Sequence, residues 1–213
     1  MWMAPQQSQR RPGTEGVIIV LLDVTGSIEQ ADYKLASKAV ADVIQDHPNV
    51  RFFAWADRIT EIRLSRGRPP AIETLRAKVG GWNNLAGALT AISPLNPDKT
   101  IVISDGGEAD EGACPRCLGI VDRMTGAIDA FYSTTYYDEP LLPWTHSPGV
   151  SFMAELARRG GGRLAMFKHW RNPSASWGER FRAEILESIR ALRIRRFHHQ
   201  CLPDMHIQLG RRG

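Results

Sequence analysis

The chain has 213 residues, a formal net charge of +4 and 43% hydrophobic residues. That length predicts one domain, the apolar fraction supplies a buried core and excludes wholesale disorder, and no stretch approaches the roughly 20 apolar residues that span a bilayer. Three cysteines exclude a disulfide framework. Residues 1–15, with Pro5, Pro12 and Gly13, read as a loose arm without the apolar middle of a signal peptide, so the expected location is cytoplasmic. Val17 to Leu22 is a continuous β-rich apolar run, the pattern of a strand covered on both faces. From Ile28 to Ile44 the apolar residues change to helical spacing, with Ser27 or a neighbour as cap, Glu29 in the first turn and His47-Pro48-Asn49 as the stop.

Val50 to Ala56 and Ile59 to Leu64 are strands at hairpin spacing, which makes the second an antiparallel edge. Ile72 to Val79 and Leu85 to Ile92 are helices on either side of the Gly80-Gly81-Trp82-Asn83-Asn84 loop. Thr100 to Ser104 is a buried strand, broken by Asp105-Gly106-Gly107. Cys117 to Met124 reads as a helix and Ala127 to Tyr132 as a strand. A long loop over 133–148 carries Trp144, either a partner anchor or a cover for the sheet edge. Val150 to Arg159 is a helix stopped by Gly160–Gly162, and Arg163 to Phe167 is the last strand. Trp177 to Phe197 is a terminal amphipathic helix. The alternation predicts a doubly wound α/β fold: a mostly parallel sheet with one antiparallel edge strand and helices on both faces, over residues 16–197. Residues 198–213 form a basic tail.

In such a sheet, ligands bind beyond the carboxyl ends of the strands, where the connections diverge. Three segments meet there: Asp23-Val24-Thr25-Gly26-Ser27, Gly81-Trp82-Asn83-Asn84, and Ser104-Asp105-Gly106. They bring carboxylates, hydroxyls and amide carbonyls, an all-oxygen set suited to a hard cation such as Mg²⁺, Mn²⁺ or Ca²⁺ rather than zinc. Asp23, Thr25 and Ser27 alternate, so one turn aims all three at one point, with Gly26 allowing the turn into the helix. Asp105 ends a buried run, where a carboxylate is costly unless a cation accompanies it.

This order resembles the metal-ion-dependent adhesion site of von Willebrand factor type A domains. That family's motif is Asp-x-Ser-x-Ser, then a Thr in a distant loop, then an Asp at a strand end. Asp23, Thr25, Ser27 and Asp105 match it, with Thr25 exchanging one hydroxyl for another, and Asn83 falls at the Thr position when Asn84 is aligned with the family Asn. Residues 16–170 carry the resemblance, including Leu85-Ala86-Gly87-Ala88-Leu89 and Phe52 to Asp57. The resemblance implies a metal held through Thr25 and Ser27 directly and through Asp23 and Asp105 directly or by water. Asn83 or Asn84 completes the pocket. It further implies an open coordination position filled by a partner's acidic side chain, and no covalent chemistry. Stand-alone bacterial domains of this kind resemble adaptors in stress-response or chaperone-type ATPase assemblies.

Other chemistries compete for the same residues. A haloacid-dehalogenase-like phosphotransferase also places a nucleophilic Asp after a first buried strand, here Asp23, but Thr25 then stands where an acid/base Asp is expected. Glu108, Asp110 and Glu111 read either as an acidic metal pair or as a solvated rim. Cys114-Pro115-Arg116-Cys117 has metal or redox spacing, and a zinc site would need two more ligands from Cys201, His198, His199 or His206. Arg190, Arg193, Arg195, Arg196, His198 and His199, with Arg211 and Arg212, read as a polar helix face or as a nucleic-acid contact.

Overall fold

The computed structural model of the chain describes residues 16–106, 113–134, 148–168 and 175–200, with side chains over 16–106, 114–133, 149–167 and 178–191. The expectations for the N-terminal arm, for Glu108, Asp110 and Glu111, for Trp144 and for the residues beyond 200 lie outside that description. So do the side chains of Arg193, Arg195, Arg196, His198 and His199.

The elements run β1 (Ile18–Asp23), α1 (Gln30–Asp46), β2 (Val50–Trp55), β3 (Ile59–Glu61), α2 (Ile72–Val79) and α3 (Leu85–Ile92). They continue through β4 (Lys99–Ser104), α4 (Ala113–Val121), β5 (Ala127–Thr134), α5 (Pro148–Arg159), β6 (Gly161–Lys168) and α6 (Ala175–Gln200). One six-stranded sheet has the order β3-β2-β1-β4-β5-β6. Every pairing is parallel except β2 with β3, the antiparallel edge that the hairpin spacing predicts. The doubly wound α/β expectation holds.

All six residues of β1 and all six of β4 are buried, because helices cover both faces of the sheet. Ile18, Val20 and Leu22 pack with Ile101 and Ile103 against apolar residues of α1, α2 and α6. Ile19, Leu21 and Val102 point the other way, into residues of α3, α4 and α5. The alternation of side chains along a strand thus divides the core into two layers. Burying one such aliphatic side chain contributes roughly 1.5–3 kcal/mol, so β1 is the axis of the fold.

Three local expectations need correction. The cap of α1 is Glu29, without a side-chain cap bond, and Ser27 is occupied elsewhere. Helix α4 begins at Ala113 rather than Cys117, with Pro115 inside its first turn. Proline is compatible there, since first-turn N–H groups have no intrahelical partner. Finally, Gly161 and Gly162 do not merely stop α5; they open β6. No helix among the described residues is long and apolar enough to cross a membrane.

Candidate metal centre at the β1–β4 switch point

The chain leaves β1 toward β2 on one side and reaches β4 on the other. Their carboxyl ends therefore frame the crevice where the connections diverge. The register that sets Leu22 beside Ile103 places the next residues, Asp23 and Ser104, side by side. The Ser104 hydroxyl donates to Asp23 Oδ2 at 2.6 Å. The backbone N–H of Thr25 donates to Asp23 Oδ1 at 2.8 Å. The Ser104 hydroxyl also accepts from the N–H of Gly106 at 3.0 Å, which folds the end of β4 around it. Gly106 takes a φ of +78°, a left-handed backbone that suits glycine.

Asp23 is fully buried. Burial first, and then the negative charge of Asp105, push its carboxyl up from 3.8 to about 7, against the lowering effect of the hydrogen bonds from Ser104 and Thr25. No cationic side chain among the described residues figures among these influences. The proximity of Asp105 to Asp23 that the sequence anticipates is therefore felt as repulsion.

Beyond Asp23 the loop bends back. Thr25 is buried and Ser27 exposed, and their hydroxyls share a hydrogen bond at 3.1 Å. The alternation of Asp23, Thr25 and Ser27 does gather these side chains. Gly26 does not contribute in the way its sequence position suggests. Its φ is not in the left-handed region, and a Cβ there would meet only the Gly81 carbonyl, at 3.9 Å. What Gly26 supplies is an N–H, donated to that carbonyl at 3.1 Å, and this bond ties the Asp23 loop to the 80–84 loop.

The 80–84 loop separates the roles of its two asparagines. Asn84 caps α3: its Oδ1 accepts from the N–H of Gly87 at 2.9 Å, and its Nδ2 donates to the Asp57 carbonyl. Its side chain is committed to the fold. Asn83 is different, because its Oδ1 is buried with no hydrogen-bond partner among the described residues. An orphaned carbonyl oxygen of that kind costs on the order of 1–3 kcal/mol unless something binds it. Asp57 braces the same loop, accepting from the N–H of Trp82 at Oδ1.

Three residues escape the sequence reading. Ser104 sits one position before the expected Asp105, and only the β1–β4 register brings it to Asp23. Arg76 of α2 donates to the carbonyls of Val24 (2.8 Å), Thr25 (2.5 Å) and Ile28 (2.6 Å), clamping the underside of the Asp23 loop. No spacing rule connects residue 76 to residues 24–28. Trp82 stands at the rim of the crevice and is 74% exposed, one of two large exposed hydrophobic side chains among the described residues.

The donor set is thus oxygen only: Asp23, Asp105, Thr25 and Ser27, with Asn83 on the adjoining loop. A buried carboxylate with raised proton affinity and an orphaned amide oxygen fit a hard divalent cation. No group of three or more acidic, His or Cys side chains that could hold a metal forms anywhere among the described residues, at Cys114 and Cys117 or at Asp23.

No protein-family model matches the sequence, and no curated protein does. Solved structures share the fold. The conserved hypothetical protein BatB from Bacteroides thetaiotaomicron superposes with a TM-score of 0.54 at 14% identity, over 83% of this chain and all of BatB. Proximal thread matrix protein 1 of the mussel byssus superposes with a TM-score of 0.52 at 13% identity, over 82% of this chain and 45% of that protein. Both are von Willebrand A-like. At such identities the likeness concerns the fold.

Proposed function

We propose that this chain is a protein-interaction module that holds a divalent cation, Mg²⁺ before Mn²⁺ or Ca²⁺, at the β1–β4 switch point and captures a carboxylate of a protein partner there. The observation that supports the reading is Asp23, a fully buried carboxylate pushed up to about 7 by burial and by Asp105, with no cationic side chain among the described residues to offset them. Asp23, Thr25, Ser27, Asn83 and Asp105 are the residues that would hold the ion. A bound cation would supply positive charge and an open coordination position for an anionic oxygen.

The chain's own residues do the rest. Ser104 and the Thr25 N–H fix the Asp23 carboxylate, each occupying one oxygen while leaving lone pairs on both. Arg76 draws the loop carbonyls to one side, which leaves the Thr25 and Ser27 hydroxyls for the other. Trp82 offers an aromatic surface beside the crevice, a residue type that dominates the energetics of many interfaces. Chaperone-type ATPase assemblies, suggested by the sequence resemblance, are one source of the acidic side chain. Thr25, buried and hydrogen-bonded to Ser27, gives no acid for protonating a leaving group, so the phosphotransfer reading gains nothing from the geometry.

The test is capture of partners on the immobilised chain in Mg²⁺. The reading expects a discrete partner set that disappears with EDTA and with Asp23→Ala. A partner set indifferent to both changes contradicts it, as does Mg²⁺-dependent phosphate release from an aryl phosphate that Asp23→Asn abolishes.

A further inference from the structure

The first turn of α4 carries Cys114-Pro115-Arg116-Cys117, and the metal centre makes no use of it. The two thiols differ sharply in surroundings. Cys117 is completely buried in the core layer formed with Leu89, Val121 and Met153. Cys114 is half-buried and reaches solvent. Neither is in a disulfide.

Their spacing decides what they can do together. Two residues three apart in an α-helix have Cα atoms about 5 Å apart, from the rise and radius of the helix. Disulfides need a separation of roughly 4.4–6.8 Å, so this pair can close a bond without unwinding α4. The first turn of a helix also presents unsatisfied N–H groups, which favour a thiolate over a thiol. An accessible thiol at a helix start, followed three residues later by a buried one, gives an attacking sulfur and a resolving sulfur.

We propose that Cys114 and Cys117 are a redox-active dithiol, oxidised to an intramolecular disulfide by exchange with a disulfide such as oxidised glutathione. The Cys114 thiolate attacks one glutathione sulfur, the glutathione S–S bond breaks, and one glutathione leaves as thiolate and takes up a proton. The Cys117 thiol then loses its proton and attacks the Cys114 sulfur, and the second glutathione leaves. One disulfide and two thiols have become two thiols and one disulfide, with the dithiol oxidised and glutathione reduced. The inference stands apart from the metal centre and survives if that reading fails.

The experiment uses the full chain with Cys201→Ser, so that only the two helix cysteines remain. It is incubated with oxidised glutathione and analysed by intact mass and by peptide mapping. The expected product has lost two hydrogen atoms, carries a Cys114–Cys117 link, and returns to the dithiol with excess reduced glutathione. Cys117→Ser should stop at a glutathione adduct on Cys114. Cys114→Ser should give no adduct, because the buried sulfur is not attacked. The circular dichroism of each variant reports whether it is folded, and the unmutated pair decides the question should Cys117→Ser fail to fold. An unmodified dithiol at oxidising ratios, an adduct that never resolves, or stoichiometric zinc released from the purified chain by a thiol-blocking reagent would each overturn the proposal.

Discussion

Asp23 and Asp129 are both buried in the same sheet, near opposite ends of their parallel strands, and the protein treats them differently. At the amino end of β4 and β5, Lys99 meets Asp129 Oδ2 at 2.7 Å, and both side chains are almost wholly enclosed. Ser188 of α6 donates to the same oxygen at 2.6 Å, and the Arg163 N–H donates to Oδ1 at 3.0 Å. The chain provides the counter-charge and surrounds it with donors, which is what a buried ion pair requires. At the carboxyl end of β1, Asp23 has hydrogen-bond donors but no cationic partner among the described side chains, and Asp105 adds repulsion. One end of the sheet is electrostatically closed by the sequence itself. At the other end the described residues bring donors and a second carboxylate.

The comparison can be broken most forcefully at the closed end. Asp129→Ala would leave Lys99 buried without its partner, and a loss of about 3–5 kcal/mol in denaturant-unfolding free energy is expected. At the open end the sign differs. Asp23→Asn removes a buried charge without changing shape, so the metal-free protein should be as stable as the wild type or more so at pH 8. On the proposed reading Mg²⁺ raises the melting temperature of the wild type, and the same substitution should abolish that rise. That rise corresponds to about 2.7 kcal/mol when the ion is at a hundred times its dissociation constant.

Acidity sharpens the contrast further. The folded carboxyl of Asp23 lies near 7, above its ordinary 3.8, so the folded state holds this proton more tightly than the unfolded one. The stabilisation is fully present below about pH 4 and is lost as pH rises through about 7. Without metal, Asp23 therefore makes the protein less stable between those values, and Asp23→Asn should flatten that part of the stability profile. Mg²⁺ competes with the proton, so its affinity should climb with pH through about 7 and level off above it. Titration in buffers of different ionisation enthalpy would count the proton released.

Smaller effects are expected at Arg76 and Trp82, two of the residues that escape the sequence reading. Arg76→Ala removes three hydrogen bonds from a charged donor, and a cost of roughly 1.5–3 kcal/mol is expected, together with weaker Mg²⁺ binding. Arg76→Lys should not restore the clamp, since a compact ammonium cannot reach several carbonyls as a planar guanidinium does. Trp82→Ala should change stability by no more than about 0.5 kcal/mol and leave Mg²⁺ binding intact, while reducing the yield of captured partner.

The fold was legible wherever periodicity is strong. The all-apolar runs of β1 and β4, the helical spacing of α1, and the short gap before β3 each identify their element. Asp23, Thr25 and Ser27 were legible because they are close in sequence and alternate. Contacts made through register or across the fold were not. Ser104 reaches Asp23 across 81 positions through strand pairing, and Arg76 reaches the same loop from α2 across about 50. The choice between Asn83 and Asn84 also needed structure, because either amide can cap a helix and only the backbone path decides which one does. The start of α4 was hidden by Pro115, whose helix-breaking character is suspended in a first turn.

The most direct test of the central claim is a calorimetric titration of Mg²⁺ into the metal-free wild-type chain and into Asp23→Asn at pH 8. One saturable site in the wild type, absent from a variant with an unchanged circular dichroism spectrum, is the predicted result. Absence of binding to the wild type, or equal affinity in the variant, would contradict it.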